Sequence, residues 1–312
     1  QALTGFTTGG TNTAVGVGSL TSQTTAVSNV AVGYQAGYSN LVSRHNVYIG
    51  YQAGYNQLGT ESYGDNVFIG YRAGFSTTDT GFQRSVNIGS HAGYDSSNAQ
   101  NTLIGFYSGR YAGSKNVTLG YYAGLGTGGG NYTQTVMIGM GAGQNNVGKS
   151  DLVAIGYDAA YTGGSNRGVF IGMKAGYSEN GGTNYNVSVG HNAGFSNVTS
   201  AHIAYLGGFA GRYATGGSNT YIGYSAGEGV NGSSTGTGNT AVGKESLHGI
   251  TTANYNVAIG QSAGYSITTG GENTFIGRNA GYYNTTGIYN NFIGTGAGQN
   301  STTANNNTYI GW

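Results

Sequence analysis

The chain contains no cysteine and no proline, and only 7% of its residues are charged. Without cysteine there are no disulfide staples and no thiolate metal sites, and the redox compartment is left open. The lack of proline beside 63 glycines excludes collagen, which needs glycine at every third position together with abundant proline. So sparse a charge, with a formal net value of +1, provides neither a nucleic-acid footprint nor an acidic tail. No apolar run approaches the ~20 residues a membrane helix requires, so membrane insertion is not expected. The chain opens on Gln1 with no Met and no apolar secretory region, which reads as a mature or excerpted segment.

What the sequence does have is repetition. The stretch Asn29 to Tyr38, Asn-Val-Ala-Val-Gly-Tyr-Gln-Ala-Gly-Tyr, recurs with variations throughout, and each copy can be anchored on the glycine that follows an aliphatic residue. The anchors are Gly16, Gly33, Gly50, Gly70, Gly89, Gly105, Gly120, Gly139, Gly156, Gly172, Gly190, Gly207, Gly223, Gly243, Gly260, Gly277, Gly294 and Gly311. These eighteen copies lie 15 to 20 residues apart, about 17 on average. The length variation falls after the second half of each copy, the pattern of variable loops on a fixed scaffold.

Val, Ile or Leu precedes every anchor, and two residues earlier stands mostly Val or Thr, as at Val30, Val47, Thr102 and Val257. Positions two apart share one face of a strand, and β-branched residues suit a packed face, so this Val/Ile face is expected to be the core. After the anchor comes a second segment, as in Tyr34-Gln35-Ala36-Gly37-Tyr38. We therefore expect an all-β parallel β-solenoid over residues 1–312, a single repeat array of about eighteen ~17-residue coils with two short strands per coil. At ~4.8 Å per coil the rod would be on the order of 85 Å long. The small Ala of the second segment, as at Ala36, Ala53, Ala73 and Ala280, implies a narrow cross-section.

Three columns of residues stand out as candidate sites. Asparagine lies four residues before the anchor in thirteen copies: Asn12, Asn29, Asn46, Asn66, Asn101, Asn116, Asn186, Asn219, Asn239, Asn256, Asn273, Asn290 and Asn307. Stacked amides can form a ladder, and Asn tolerates the left-handed backbone of a tight corner, so a ladder or corner role is expected. The position two before the anchor carries large rings, Tyr48, Phe68, Phe170, Tyr205, Tyr221, Phe275, Phe292 and Tyr309. If the Val/Ile face is the core, these rings point outward and form a face for association with sister chains or for adhesion. The polar column after the anchor, flanked by tyrosine, is the candidate surface or glycan contact: Tyr34, Gln35, Tyr51, Gln52, Tyr71, Arg72, Lys174 and Arg278. Tyrosine with amides and Arg can stack on sugar rings and hydrogen-bond their hydroxyls.

These Asn-x-x-aliphatic-Gly-x-x-Ala copies resemble the head repeats of trimeric autotransporter adhesins. They are also similar to the Asn-Thr-Ala-Val-Gly-x-x-Ser-Leu and Asn-Thr-Phe-Ile-Gly-x-x-Ala-Gly repeats of phage tail-fibre-like and bacterial surface proteins. Asn12 to Leu20 and Asn239 to Leu247 match the first form, and Asn273 to Gly281 the second. The adhesin resemblance implies a left-handed parallel β-roll shared by three chains. The copies here are longer than typical adhesin head repeats and read Ala-Gly where those read Ala-x-Ala.

The two ends are in phase. Gln1 opens a second half-copy and Trp312 closes a first, so subunits stacked head to tail would complete a coil at a Gln1–Trp312 axial junction; alternatively the chain is a window of a longer array. Enzyme motifs occur but fit the repeat. Gly143 to Ser150 satisfies G-x-x-x-x-G-K-S, yet another strand pattern follows where a helix is needed. Gly223 to Gly227 and Gly260 to Gly264 satisfy G-x-S-x-G with both glycines supplied by the repeat. Gly124, Gly126 and Gly129 mimic a dinucleotide fingerprint outside its strand-helix context. The five histidines, His45, His91, His191, His202 and His248, follow no single column, so neither a metal nor another cofactor is expected. The expectation is a non-enzymatic structural or adhesive fibre protein, extracellular, cell-surface or virion-borne, whose partners are its own copies and a surface or glycan. The alternatives are a phage tail-fibre shaft or tip and an ice-binding solenoid.

Overall fold

A computed structural model describes residues 1–5, 8–57, 64–77, 84–96, 100–128, 132–181, 185–198 and 200–312. The chain divides into two compact units, Gln1–Ala154 and Ile155–Trp312. Each is a parallel β-solenoid, and no helix occurs among the described residues. In the first unit, three-residue strands from Thr13–Val15 to Val136–Ile138 pair parallel with the strand of the next coil. The second unit repeats this from Val169–Ile171 to Thr308–Ile310. Registers match position for position, so Tyr48 faces Phe68 and Phe275 faces Phe292.

The segment after the anchor also bonds from coil to coil, for example Gln52 N–H to the Tyr34 carbonyl at 2.8 Å and Gly54 N–H to that of Ala73 at 2.9 Å. It does so while turning through two left-handed residues, such as Gln52 at φ 52 and Gly54 at φ 61. Beyond it, Asn56–Gln57 and Ser76–Thr77 add a further parallel pair.

The anchors have φ near +130, as at Gly50 and Gly260 (130 and 131), and a Cβ added to Gly50 would stand 2.5 Å from the carbonyl oxygen of Gly70. Only glycine combines that backbone with that approach.

The core is the reverse of the sequence expectation. In the three-residue strands between the first and the last, the middle residue is buried and its two neighbours lie toward the outside: Tyr48, Phe68, Phe170, Tyr205, Tyr221, Phe275 and Phe292 are at most 1% exposed, whereas Ile49 is 38% exposed and Ile276 36%. Three residues between a corner and a glycine bend place one side chain inside, and the bend returns Ala and Gly opposite it. That gap takes one ring per coil, so the rings are interior, and β-branched residues serve the outer face as cross-strand neighbours.

Ring and glycine are reciprocal. A Cβ at Gly74 would lie 2.6 Å from the Phe68 ring, and one at Gly281 would lie 2.5 Å from Phe275. In two of the copies whose strand carries Ala, the glycine becomes leucine, Ala14 with Leu20 and Ala241 with Leu247, whereas Ala31 and Ala258 keep Gly37 and Gly264 and Ala154 stands with Ala160. Leu20 and Leu247 are fully buried and accept φ of 47 and 48, backbone that costs a β-carbon roughly 1–2 kcal/mol. The two repeat forms are therefore two fillings of one cross-section.

This reciprocity sets a double-mutant test in the second unit. Leu247→Gly alone is expected to cost about 2–4 kcal/mol through the cavity it leaves. Ala241→Phe alone should cost about 1–3 kcal/mol by overpacking. The pair together should recover most of the loss in chemical denaturation, and additive losses would refute the reciprocity.

Tyr48 is buried with no partner for its hydroxyl among the described residues, and burial pushes its pKa far up, as it does for Tyr132, Tyr205 and Tyr221. The neutral phenol is the folded form. Its contribution is complete below the ordinary tyrosine value near 10 and is lost as pH rises above it, because the unfolded chain ionises first. Stability should therefore fall above about pH 10. Tyr48→Phe should be neutral or stabilising at pH 7 and shift the alkaline unfolding midpoint upward, as read by circular dichroism.

Candidate functional site

The asparagine column is a ladder. Asn29 donates its backbone N–H to Asn12 Oδ1 at 2.8 Å. Asn46 donates both N–H and Nδ2 to Asn29 Oδ1, at 2.9 and 3.0 Å, and Asn66 repeats this on Asn46. Asn116 donates its backbone N–H to Asn101 Oδ1 at 2.9 Å and its Nδ2 to the Tyr132 carbonyl at 3.1 Å. In the second unit the run Asn219, Asn239, Asn256, Asn273, Asn290, Asn307 is unbroken. The Nδ2 groups also tie down corner carbonyls, Asn256 to Gly270 at 3.0 Å and Asn186 to Ser200 at 2.7 Å. The left-handed corner is not at these asparagines but at the residue before each, such as His45 (φ 60) or Tyr255 (φ 58), and is filled by many residue types. The column is structural, its amides spent within the fold.

The proposed outward ring face does not exist as a surface, since its members other than Tyr309, in the last coil, fill the interior. Sequence reasoning missed the surface that takes its place: the aliphatic residue before each anchor, including Val32, Ile49 and Ile138 in the first unit and Ile171, Leu206, Ile222, Ile259 and Ile293 in the second. Strand length was the missing signal. In the first unit this stripe is widened by Val30 and Val47 on one side and by Tyr34, Tyr51, Tyr71 and Tyr121 on the other. In the second unit the flanks become mostly polar from Thr240 and Lys244 onward, with Val257 and Trp312 the apolar exceptions.

Tyr34, Tyr51 and Tyr71 stack in sequence at 5.1 and 5.2 Å, and Tyr38, Tyr55, Phe75 and Tyr94 form a second stack at 5.1, 5.1 and 4.9 Å. Between them Gln52 Nε2 donates to Gln35 Oε1 at 2.8 Å and Arg72 Nε to Gln52 Oε1 at 2.9 Å, with the guanidinium 5.1 Å from the Phe75 ring centre. Lys174 lies 5.4 Å from the Tyr177 ring. In the first unit Tyr34, Gln35, Tyr51, Gln52, Tyr71 and Arg72 thus lie side by side with their polar groups serving one another, while Lys174 belongs to the second unit. Arg278 falls outside it: Asn279 holds the left-handed second position, and Arg278 is exposed one residue earlier. His91 joins the column stacked 4.5 Å from Tyr107; burial first, then the charges of Arg72 and Arg110, hold its pKa below the usual range.

The motif-like segments are turns. Lys149 N–H caps Asn146 Oδ1 at 2.9 Å ahead of the strand Val153–Ile155. Ser225 and Ser262 sit nearly buried at left-handed positions. Of the dinucleotide-like glycines, Gly129 lies outside the described residues. Among the described residues no cluster of three His, Asp or Glu could hold a metal ion, and no helix is long and apolar enough to cross a membrane. Gln1 accepts from Gly18 N–H at 2.9 Å, and Trp312 is fully exposed. Comparison with protein-family models, curated proteins and solved structures returned no match.

Asn256→Ala is expected to cost roughly 2–4 kcal/mol, because it strands the Asn273 amide and the Gly270 carbonyl in the interior. Asn307→Ala, part-exposed at the last coil, should cost under about 1 kcal/mol. Hydrogen exchange at the Asn273 amide checks this: equal protection in Asn256→Ala and the parent would remove the ladder's structural role.

Proposed function

We propose that the protein is a non-enzymatic structural fibre component that associates laterally with further copies of itself, in an extracellular, cell-surface or virion setting. The observation that carries this reading is the Val/Ile/Tyr stripe of the first unit, an apolar sheet face with no charged residue among its described members, open to solvent. Contiguous apolar surface of this kind usually belongs to an interface. Its ridges recur once per coil, ~4.8 Å apart, and a surface with the same period, a second copy, keeps every ridge in register. Absence of charge along the stripe leaves no repulsion between identical faces.

The resemblance to adhesin heads and tail-fibre-like repeats supports the same reading, since three chains sharing a β-roll would place this stripe along their common axis. Adhesion to a surface or glycan is the accompanying role. An ice-binding reading draws on Thr252, Thr269, Thr286 and Thr303, exposed one per coil in the second unit. That array is one residue wide, and bulky neighbours such as Tyr255, Ile288 and Tyr289 break its plane, so it is the weaker reading.

Light scattering coupled to size exclusion tests the association. The parent chain should run as a multimer, and Val32→Lys with Ile49→Glu should release folded monomers with an unchanged circular dichroism spectrum. A monomeric parent, or a variant that stays assembled, would sink the proposal.

A further inference from the structure

The second unit carries one concavity built differently from the stacked columns around it. On three successive coils the left-handed corner holds Tyr255, Glu272 and Tyr289, at φ 58, 57 and 59. Beside them the surface opens into a cavity of about 300 Å³, whose lining includes Asn254, Thr269, Gly271 and Ile288. Glycine makes the hollow: the middle coil presents Gly271 where its neighbours carry Asn254 and Ile288. The Tyr255 ring is seated on Gly238, where a Cβ would come within 2.7 Å of it, so its orientation is fixed from below.

The polar groups around this hollow are not consumed by the fold. Asn254 Oδ1 accepts from Thr237 N–H at 2.7 Å and from its hydroxyl at 3.2 Å, which turns Nδ2 outward with no protein acceptor among the described residues. Glu272 has no Lys, Arg or His within ion-pair distance among the described residues. Tyr255 and Tyr289 are 65% and 49% exposed and stack on no other ring among the described residues. Elsewhere in this unit surface rings stack from coil to coil, as His248, Tyr265 and Tyr282 do at 4.8 and 4.9 Å. Two unstacked rings, two coils and so about 9.6 Å apart, thus flank a free carboxylate, with a free amide donor close by.

We infer that this concavity binds one neutral hexopyranose unit of a glycan. Tyrosine rings offer faces for the C–H surface of a sugar, and the carboxylate, the amide and the Thr269 hydroxyl offer complementary acceptors and donors for its hydroxyls. The volume lies at the small end of ligand pockets and suits a single ring rather than an oligomer. Glu272 disfavours anionic ligands, and no cationic side chain lines the cavity to offset it. The site is separate from the tyrosine and glutamine column of the first unit and from the aliphatic stripe, so it stands or falls independently of self-association.

Saturation-transfer NMR on the full chain tests it, with the methyl glycosides of glucose, galactose, mannose and N-acetylglucosamine as probes and choline as the cationic control. At least one glycoside should receive saturation on its ring protons. Tyr255→Ala and Tyr289→Ala should each weaken that binding about tenfold or more, and Glu272→Gln should weaken it to a lesser degree. Lys115→Ala, an exposed residue of the other unit, should leave it unchanged, and none of these variants should alter the circular dichroism spectrum or the assembly state. Binding that survives both tyrosine variants, saturation of choline alone, or no saturation of any glycoside would overturn the inference. Multimer size by light scattering on the same samples separates this outcome from a failure of the fibre reading.

Discussion

The rest of the structure depends on the close approach of successive backbones at the anchor glycines. A carbonyl from the next coil occupies the space a β-carbon would need, and the backbone there takes a φ that other residues avoid. That contact fixes the spacing of coils and their register together, because a slip of one residue would set a β-carbon against a carbonyl. With register fixed, every sequence position becomes a column. The amide ladder, the two tyrosine stacks and the aliphatic stripe are consequences of like residues standing above like.

The second constraint is the volume of a coil. Each cross-section has room for little: a ring with glycine in coils such as that of Phe275 and Gly281, alanine with leucine in those of Ala14 and Ala241, beside the buried asparagine and alanine columns. Because the interior has so little capacity, the β-branched residues that favour strand backbone accumulate on the surface, where cross-strand contacts reward them. A fold that is economical inside is thereby apolar outside, and a periodic apolar face is best covered by a face of the same period. The proposed self-association and the fold would then share one cause. The proposed sugar site arises from the opposite circumstance: it lies where the columns break, with Gly271 standing between larger residues and two tyrosines left without stacking partners.

The period, the parallel solenoid, the amide ladder and the glycine-bound bends were legible in the sequence, because each repeats identically and each demands a particular residue type. Glycine at eighteen anchors and asparagine at thirteen rungs have few physical explanations. The direction of the side chains was not legible. A Val-Phe-Ile triplet alternates equally well with its centre inside or outside, and hydrophobicity alone favours the two aliphatics over the single ring. The position of the left-handed corner was also hidden, because residues as different as His45, Glu272 and Tyr289 accept it.

What the sequence determined by itself is therefore the architecture, since repetition with obligatory glycine admits one way of burying backbone polar groups, coil upon coil. What only the tertiary structure decided is which face is core and which is surface. That choice rests on the space left between the strand and the Ala-Gly bend, a distance across the coil between segments that the linear sequence does not relate, and it determines which residues are free to meet a partner.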